Sequence, residues 1–385
     1  MLSGGGARGA YEAGIIYYLF VAGPKELREA ARFSVLTGTS IGALTTSAVA
    51  STIHQPAVGV HRFLDLWRTL SLEQVLQLKL SDVMSLPGWL LGRSDREAIF
   101  PGEPVQAILE DAIDWNQIHI NLANGLLDAV SVSTTQVPTG KTVVFYETSD
   151  GRPRKFSRDP NVRPVHARLK TEHALASAAI PFVFPPVDID GIPYVDGGLR
   201  QNTPLSPALR FGSDRLLVVG LGSEVNKDKD PRVRKGHIAS PVFVLAKVLN
   251  ALMLDHVDYD IVRLGHVNRL LQDGETVFGE QFVDRLNQMV TPLRGAGYRI
   301  IPYLAIRPSR DLGEMAAQHV RGKHLRSSRG LIARVVRTLA RMERKDEADL
   351  TSYILFDGAY CEQLINLGLE DAKAHHDELL RLFTE

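Results

Sequence analysis

Short apolar runs set between longer periodic stretches divide this chain. Phe33, Val35 and Leu36 form a run typical of a buried strand, and Ile41 to Ala50, directly after it, is rich in small residues that let a helix pack closely. Leu216 to Leu221, LLVVGL, is continuously apolar, as a central parallel strand covered on both faces should be. Leu126 to Thr135 and Thr142 to Tyr146 read as strands by their β-branched content, with Pro138 and Gly140 in the turn between them. Val187 to Ile189 and Ile192 to Val195 flank Asp190-Gly191, the dipeptide of a tight hairpin. Arg299 to Ile306 reads as one more strand.

Helical periodicity fills much of the remainder. Val60 to Leu91 carries Phe63, Leu64, Trp67, Leu70 and Leu72 at helical spacing, then becomes an apolar stretch, Val83 to Leu91, broken by Pro87-Gly88. That stretch suits a mobile lid or interfacial patch, with Trp89 as its lipid-facing ring, and suits a buried connection equally well. Asp150 to Arg168, rich in Arg and Pro, reads as a loop whose cations are solvated or touch phosphate headgroups, the solvated reading being preferred. Ala174 to Ala179 ends a helix before Pro181, and Val242 to Leu271 is helical. In Gly330 to Arg344, Leu331, Val335, Leu339 and Met342 share one face and Arg334, Arg337, Arg341 and Arg344 the other, which reads as a solvated outer face or a surface for anionic membranes. The charged stretch Glu224 to Gly236 marks the expected boundary between a domain over residues 1–225 and a mostly helical region over 226–385, packed on the first or continuing it.

Composition narrows the function classes. Lys+Arg and Asp+Glu balance at 44 each in 385 residues, so no global field draws the protein to nucleic acid, and any membrane contact has to be local. Cys361 is the one cysteine, which excludes an intramolecular disulfide and fits a reducing compartment. With no bilayer-length apolar run and no signal-peptide pattern, a cytoplasmic protein, peripheral on a membrane at most, is expected.

Chemistry-bearing residues cluster at the joints between elements. Gly38-Thr39-Ser40-Ile41-Gly42 lies between a predicted strand and a predicted helix and matches G-x-S-x-G, the nucleophile elbow. Glycines on both sides permit a sharp turn that lifts the serine oxygen clear at a helix N-terminus, where free N–H groups favour developing negative charge. Gly4, Gly6 and Gly9 match G-x-G-x-x-G. A dinucleotide site of that pattern needs a preceding strand, here reduced to Met1 to Ser3, and a ribose-binding acid, for which Glu26 and Glu29 are available. The same glycines expose backbone N–H groups at a helix start, an oxyanion hole if the loop lies beside Ser40. So short a lead is read either as a very short strand or, the reading preferred, as a true start upstream of the recorded one. Tyr194-Val195-Asp196-Gly197-Gly198 sets a carboxylate at a strand end before two glycines that permit tight turns, well placed to face a serine on a neighbouring strand end. His375-His376 with Asp377 and Glu378 lacks a second pair at ligand spacing, so it reads as a solvated terminal helix, and neither metal nor cofactor is expected.

Four segments in order, GGGARGAYEAG, GTSIGAL, ASAAIPFVFPPV and YVDGGLRQNTPL, resemble the patatin-like phospholipase family, densely over residues 3–50 and 172–210. The resemblance implies a three-layer α/β/α domain around a mainly parallel central sheet, followed here by a largely helical C-terminal extension. It also implies lipid acyl hydrolysis through an acyl-enzyme and a Ser-Asp dyad without histidine. Carried onto this chain, Ser40 is the nucleophile, Asp196 the general base, Gly4, Gly5 and Gly6 the oxyanion donors, and Arg8 the basic position that supports them, with Gly9, Gly38, Gly42, Gly197 and Gly198 as motif glycines. The substrate implied is a membrane phospholipid or other lipid ester met in transient interfacial contact, with no nucleic acid; the oligomeric state is left open. Two rivals stand beside this reading. One is a Ser-Asp-His α/β-hydrolase using His237, His256, His266, His319 or His324, all of which follow Asp196. The other is a non-catalytic lipid-binding protein with the same fold.

Overall fold

The computed structural model describes residues 1–77, 98–154, 160–200, 205–223, 241–294, 297–322, 330–342 and 348–385. A one-turn helix at Gly6–Gly9 runs into α1 (Ala10–Tyr17) and, past a π-helical stretch, to α2 (Lys25–Ala30). Strand β1 (Val35–Thr39) passes through Ser40 into α3 (Ile41–Thr52), and α4 (Pro56–Thr69), α5 (Leu72–Val75), α6 (Glu103–Ala112) and α7 (Trp115–Ala123) follow. Next come β2 (Ala129–Gln136), β3 (Thr142–Thr148), β4 (Val162–His166), α8 (Thr171–Ser177), β5 (Val187–Ile189), β6 (Ile192–Asp196), α9 (Leu205–Arg210) and β7 (Leu216–Val219). The C-terminal part holds α10 (Pro241–Phe278), α11 (Phe282–Arg294), β8 (Tyr303–Ile306), α12 (Leu312–Arg321), α13 (Leu331–Met342), α14 (Asp349–Ile354), α15 (Gly358–Ala374) and α16 (His376–Thr384).

The architecture is a three-layer α/β/α fold around a mixed sheet ordered β4-β3-β2-β6-β5, with β1 also on β2. Every residue of β2 is buried, and α3 and α8 pack directly on it. Its edge away from β3 is shared end to end. The first part, Ala129 to Ser133, pairs in parallel with β1, and Thr134 to Gln136 pairs antiparallel with β6. Parallel β7 and β8 join this sheet through Leu2, which bridges Gly38 on one side and Val219 on the other.

The Asp190-Gly191 hairpin forms as its sequence requires: both residues have positive φ, 55° and 77°, the combination that suits the twist of a tight hairpin. Sequence and structure differ over Asp150 to Arg168, where β4 pairs in parallel with β3 inside the stretch expected to be loop. Alternating Arg163, Pro164 and His166 hide the strand, and its place at the sheet edge is what tolerates a proline. In α13 the buried stripe is Ile332, Ala333 and Val336, with Val335 and Leu339 only half-buried, so the inward face is rotated from the expected one, while Arg334 is exposed. Residues 83–91, read as a lid, an interfacial patch or a buried connection, and 224–236, read as a boundary, lie outside the described residues, as do Lys155, Arg158 and Arg344. Among the described residues no helix is long and apolar enough to cross a membrane.

The first and fifteenth helices cross at two glycines. A Cβ on Gly14 would run into the Ile365 carbonyl oxygen, and one on Gly368 into that of Tyr11. A buried hydrogen bond from Tyr11 Oη to Asp371 Oδ2, 2.8 Å, ties the same crossing together. Gly14→Val is expected to cost about 1–3 kcal/mol of stability by overpacking against backbone that has no room to move. Urea unfolding of the two chains measures it.

Candidate active site

The turn between β1 and α3 is built by exclusion. A side chain at Gly38 would meet the Gly42 carbonyl, and one at Gly42 the Leu2 carbonyl, so both motif positions accept only glycine. Between them Ser40 is held at φ 56° and ψ −128°, a conformation that a residue with a Cβ adopts only when its surroundings over-determine it. The surroundings are Ser177, whose Oγ accepts from the Ser40 N–H at 2.9 Å and donates to the Ser133 carbonyl at 2.6 Å. This brace was not visible in the sequence, although Ser177 lies within the third motif. Ser40 is also the N-cap of α3, so its side chain stands where the helix dipole is positive.

Register on β2 brings the carboxylate to the serine. Thr39 pairs with Ser133 and Asp196 with Thr134, so the ends of β1 and β6 meet at adjacent positions of one strand. Ser40 Oγ donates to Asp196 Oδ2 at 2.5 Å, across 156 positions of sequence. The other carboxylate oxygen, Oδ1, accepts from the Gly198 N–H at 2.7 Å, and Thr135 Oγ1 donates to the Asp196 carbonyl at 3.0 Å. Gly197 turns the chain where any side chain would strike the Ser133 carbonyl. Both groups are sealed from water, with Ser40 at 1% and Asp196 at 0% exposure. Burial pushes the Asp196 carboxyl up to about 7, against the opposing hydrogen bonds from Ser40 and Gly198.

The glycine loop lies against this turn. Gly4, Gly5 and Gly6 are all buried. Gly6 has φ +57°, and a Cβ there would strike the Tyr353 carbonyl. A Cβ on Gly9 would come within 2.5 Å of Ile41, so that glycine lets the one-turn helix rest on the residue after the serine. The leading N–H groups of that turn have no acceptor within the turn itself, as at any helix start. Arg8 is buried and engages α14, with Nε donating to Ser352 Oγ at 2.7 Å and Nη2 facing Asp349 Oδ1 at 3.3 Å.

Ser40 and Gly6 open onto one shared cavity. Its walls are apolar: Leu44 and Ala48 from α3, Phe63 and Trp67 from α4, Ile108 from α6 and Phe184 beyond α8. Among the described residues no histidine lines it. Of the histidines named for a triad, His319 bonds Asp357 at 2.9 Å, and His237 and His324 lie outside the described residues.

In this three-layer sheet protein an apolar cavity thus opens onto a serine at a strand-to-helix turn, hydrogen-bonded to a buried carboxylate. The chain belongs to the patatin-like phospholipase family, a family of lipid hydrolases, whose model matches residues 1–209. No curated protein matches the chain. Among solved structures it is similar to VipD from Legionella pneumophila, at 14% identity and a TM-score of 0.32, over 95% of this chain and 66% of that one. The chain thus spans just under two thirds of that neighbour's length.

Two outcomes follow from the geometry. Ser177→Ala removes the acceptor of a buried N–H and is expected to destabilise the fold by about 1–3 kcal/mol, read by chemical denaturation. The folded Asp196 carboxyl, raised from 3.8 to about 7, binds its proton more tightly than the unfolded one, so its stabilising contribution is complete below 3.8 and is lost as pH rises through about 7. Asp196→Asn, with no charge to bury, is expected to show a shallower loss of stability over that window than the wild-type chain when both are melted across it.

Proposed function

We propose that the protein is a lipid acyl hydrolase in which Ser40 is the nucleophile and Asp196 its general base. The observation that carries this reading is the direct hydrogen bond from Ser40 Oγ to Asp196 Oδ2 at the end of an apolar cavity. The serine has a proton acceptor in contact and needs no intervening imidazole. The cavity takes the acyl chain of a phospholipid, lysophospholipid or related lipid ester, met in transient contact with a membrane surface.

Ser40 Oγ attacks the ester carbonyl carbon while its proton passes to Asp196 Oδ2, and the carbonyl π electrons move onto oxygen. The backbone N–H groups at Gly4, Gly5 and Gly6 receive that oxyanion, as donors held in place by the fold. When the tetrahedral intermediate collapses, the alcohol leaves with the proton from Asp196, and the acyl group remains on Ser40. Water then gives its proton to the same carboxylate and attacks the acyl carbon; collapse releases the fatty acid and returns the proton to Ser40.

The weakness of an ordinary aspartate as a base is met by burial. A carboxylate near 3.8 is a poor acceptor at neutral pH, whereas one raised to about 7 is matched to it. Deprotonated Asp196 is the active form, so kcat/KM is expected to rise with pH and level off above about 7, with no inflection that a histidine substitution removes.

A fluorophosphonate probe tests the nucleophile: labelling of the wild-type chain and none of Ser40→Ala is the expected result. With a mixed lipid extract and product analysis by mass spectrometry, wild type should release fatty acid, and Ser40→Ala and Asp196→Asn should each lose at least about 1,000-fold in turnover. An unlabelled, inactive wild-type chain favours a non-catalytic lipid-binding protein, and full activity in Asp196→Asn moves the base elsewhere.

A further inference from the structure

Residues 349–356 lie outside the matched range, yet they are packed into the centre of the site. Gly6 is pressed so closely on the Tyr353 backbone that no side chain fits between them. Two residues on, the Arg8 guanidinium is held from several directions by α14. It donates to Ser352 Oγ at 2.7 Å, reaches the Asp349 carbonyl at 3.4 Å and Asp349 Oδ1 at 3.3 Å, and lies 4.3 Å over the Tyr353 ring. The charged partners are nearly sealed, with side-chain exposures of 4% and 8%.

Such burial makes the pair selective in what it does. Two charges withdrawn from water add little net stability over a well-packed apolar pair, but they fix geometry, because moving either one leaves a buried charge without its partner. The guanidinium's planar fork tolerates fewer arrangements than an ammonium would. Here the geometry fixed is that of the turn at Gly6–Gly9, whose other face rests through Gly9 on Ile41 beside Ser40. The same segment reaches the reaction space by a second route. Tyr353, Ile354 and Phe356 line the cavity that holds Ser40, and Phe356 stacks on Trp67 at 6.4 Å between centroids.

α14 is itself anchored from behind. The Ala348 N–H donates to the Gly313 carbonyl at 3.2 Å, and Asp311 caps the helix that begins there through Gly313 and Glu314. The clamp therefore rests on α12, a rigid element away from the cavity, and not on a surface loop.

We infer that Asp349, Ser352 and Tyr353 are positioning residues for catalysis: by holding Arg8 they set the glycine loop at the height where its N–H groups meet the oxyanion. The inference rests on the hydrolase reading above, and the C-terminal part of the chain is on this account a working part of the active site. A displacement of about 1 Å in such donors is enough to lower turnover about 10- to 100-fold without changing how the acyl chain is bound.

The test is steady-state kinetics of the full-length chain on a soluble short-chain ester, comparing Asp349→Asn, Ser352→Ala and Arg8→Lys with Gly14→Val. The last destabilises the crossing of α1 on α15, where Gly14 meets Ile365 and Leu369 and none of the clamp residues. The expected result is a kcat lowered about 10-fold or more in the clamp variants with KM within about threefold, an unmoved pH midpoint, and Asp349→Glu recovering part of the loss, while Gly14→Val keeps its kcat below its melting temperature. Should Asp349→Asn fail to fold, Ser352→Ala, which deletes one hydroxyl, decides the matter alone. Wild-type kcat in folded clamp variants overturns the inference and leaves the dyad standing, as does an equal loss in Gly14→Val. A wild-type chain that is itself inactive, with Ser40 unlabelled, overturns the hydrolase reading instead.

Discussion

The site depends on one strand edge shared by two others. β2 offers its first part to β1 and its last three residues to β6, and the junction falls between Ser133 and Thr134. Ser40 follows the residue paired with Ser133, and Asp196 is the residue paired with Thr134. Two groups far apart in sequence are thereby set at neighbouring rungs with no freedom to separate. A slip of one residue in either pairing would turn each side chain to the opposite face. The turns at both strand ends lock the register further, since Gly42 is pressed on the Leu2 carbonyl and Gly197 on that of Ser133.

Placing an acid there has an electrostatic cost that the fold carries knowingly in its hydrogen bonds. Asp196 keeps a hydroxyl donor on one oxygen and an amide donor on the other, yet burial outweighs both and raises its pKa. Glu12, buried in α1, is pushed further, to about 8, for the same reason of desolvation. Among the described residues the core thus holds two carboxyls raised toward or past neutrality, and of the two it is Asp196 that touches the Ser40 hydroxyl.

Much of this was legible in the sequence, for identifiable reasons. The elbow and the Asp-Gly-Gly turn are read easily because tight turns demand glycine at fixed positions, and the hairpin before Asp196 announces itself through Asp190-Gly191. β4 was missed because an edge strand need not be apolar: Arg163 and Pro164 satisfy the ladder on one side and solvent on the other. Ser177 left no signal, since one serine in a run of small residues looks like any other until its two hydrogen bonds are seen. Arg8 was marked as a basic residue of the loop, but its partners in α14 were unreadable, because an ion pair between distant segments leaves no local periodicity. The inward face of α13 was misjudged by one position, as the pattern alone does not say which of two adjoining apolar stripes finds a neighbour.

The contact between Arg8 and Ser352 spans 344 positions, and α1 is covered by α15 across nearly the whole length of the polypeptide. Closures of that span are slow to form and come after local structure. On the ribosome, the elbow and its acid emerge long before the wall that faces them. The elbow and the hairpin before Asp196 can therefore form from nearby residues while the cleft is still open, and the wall built by Tyr353, Ile354 and Phe356 closes over Ser40 only once the segment from residue 349 onward has docked.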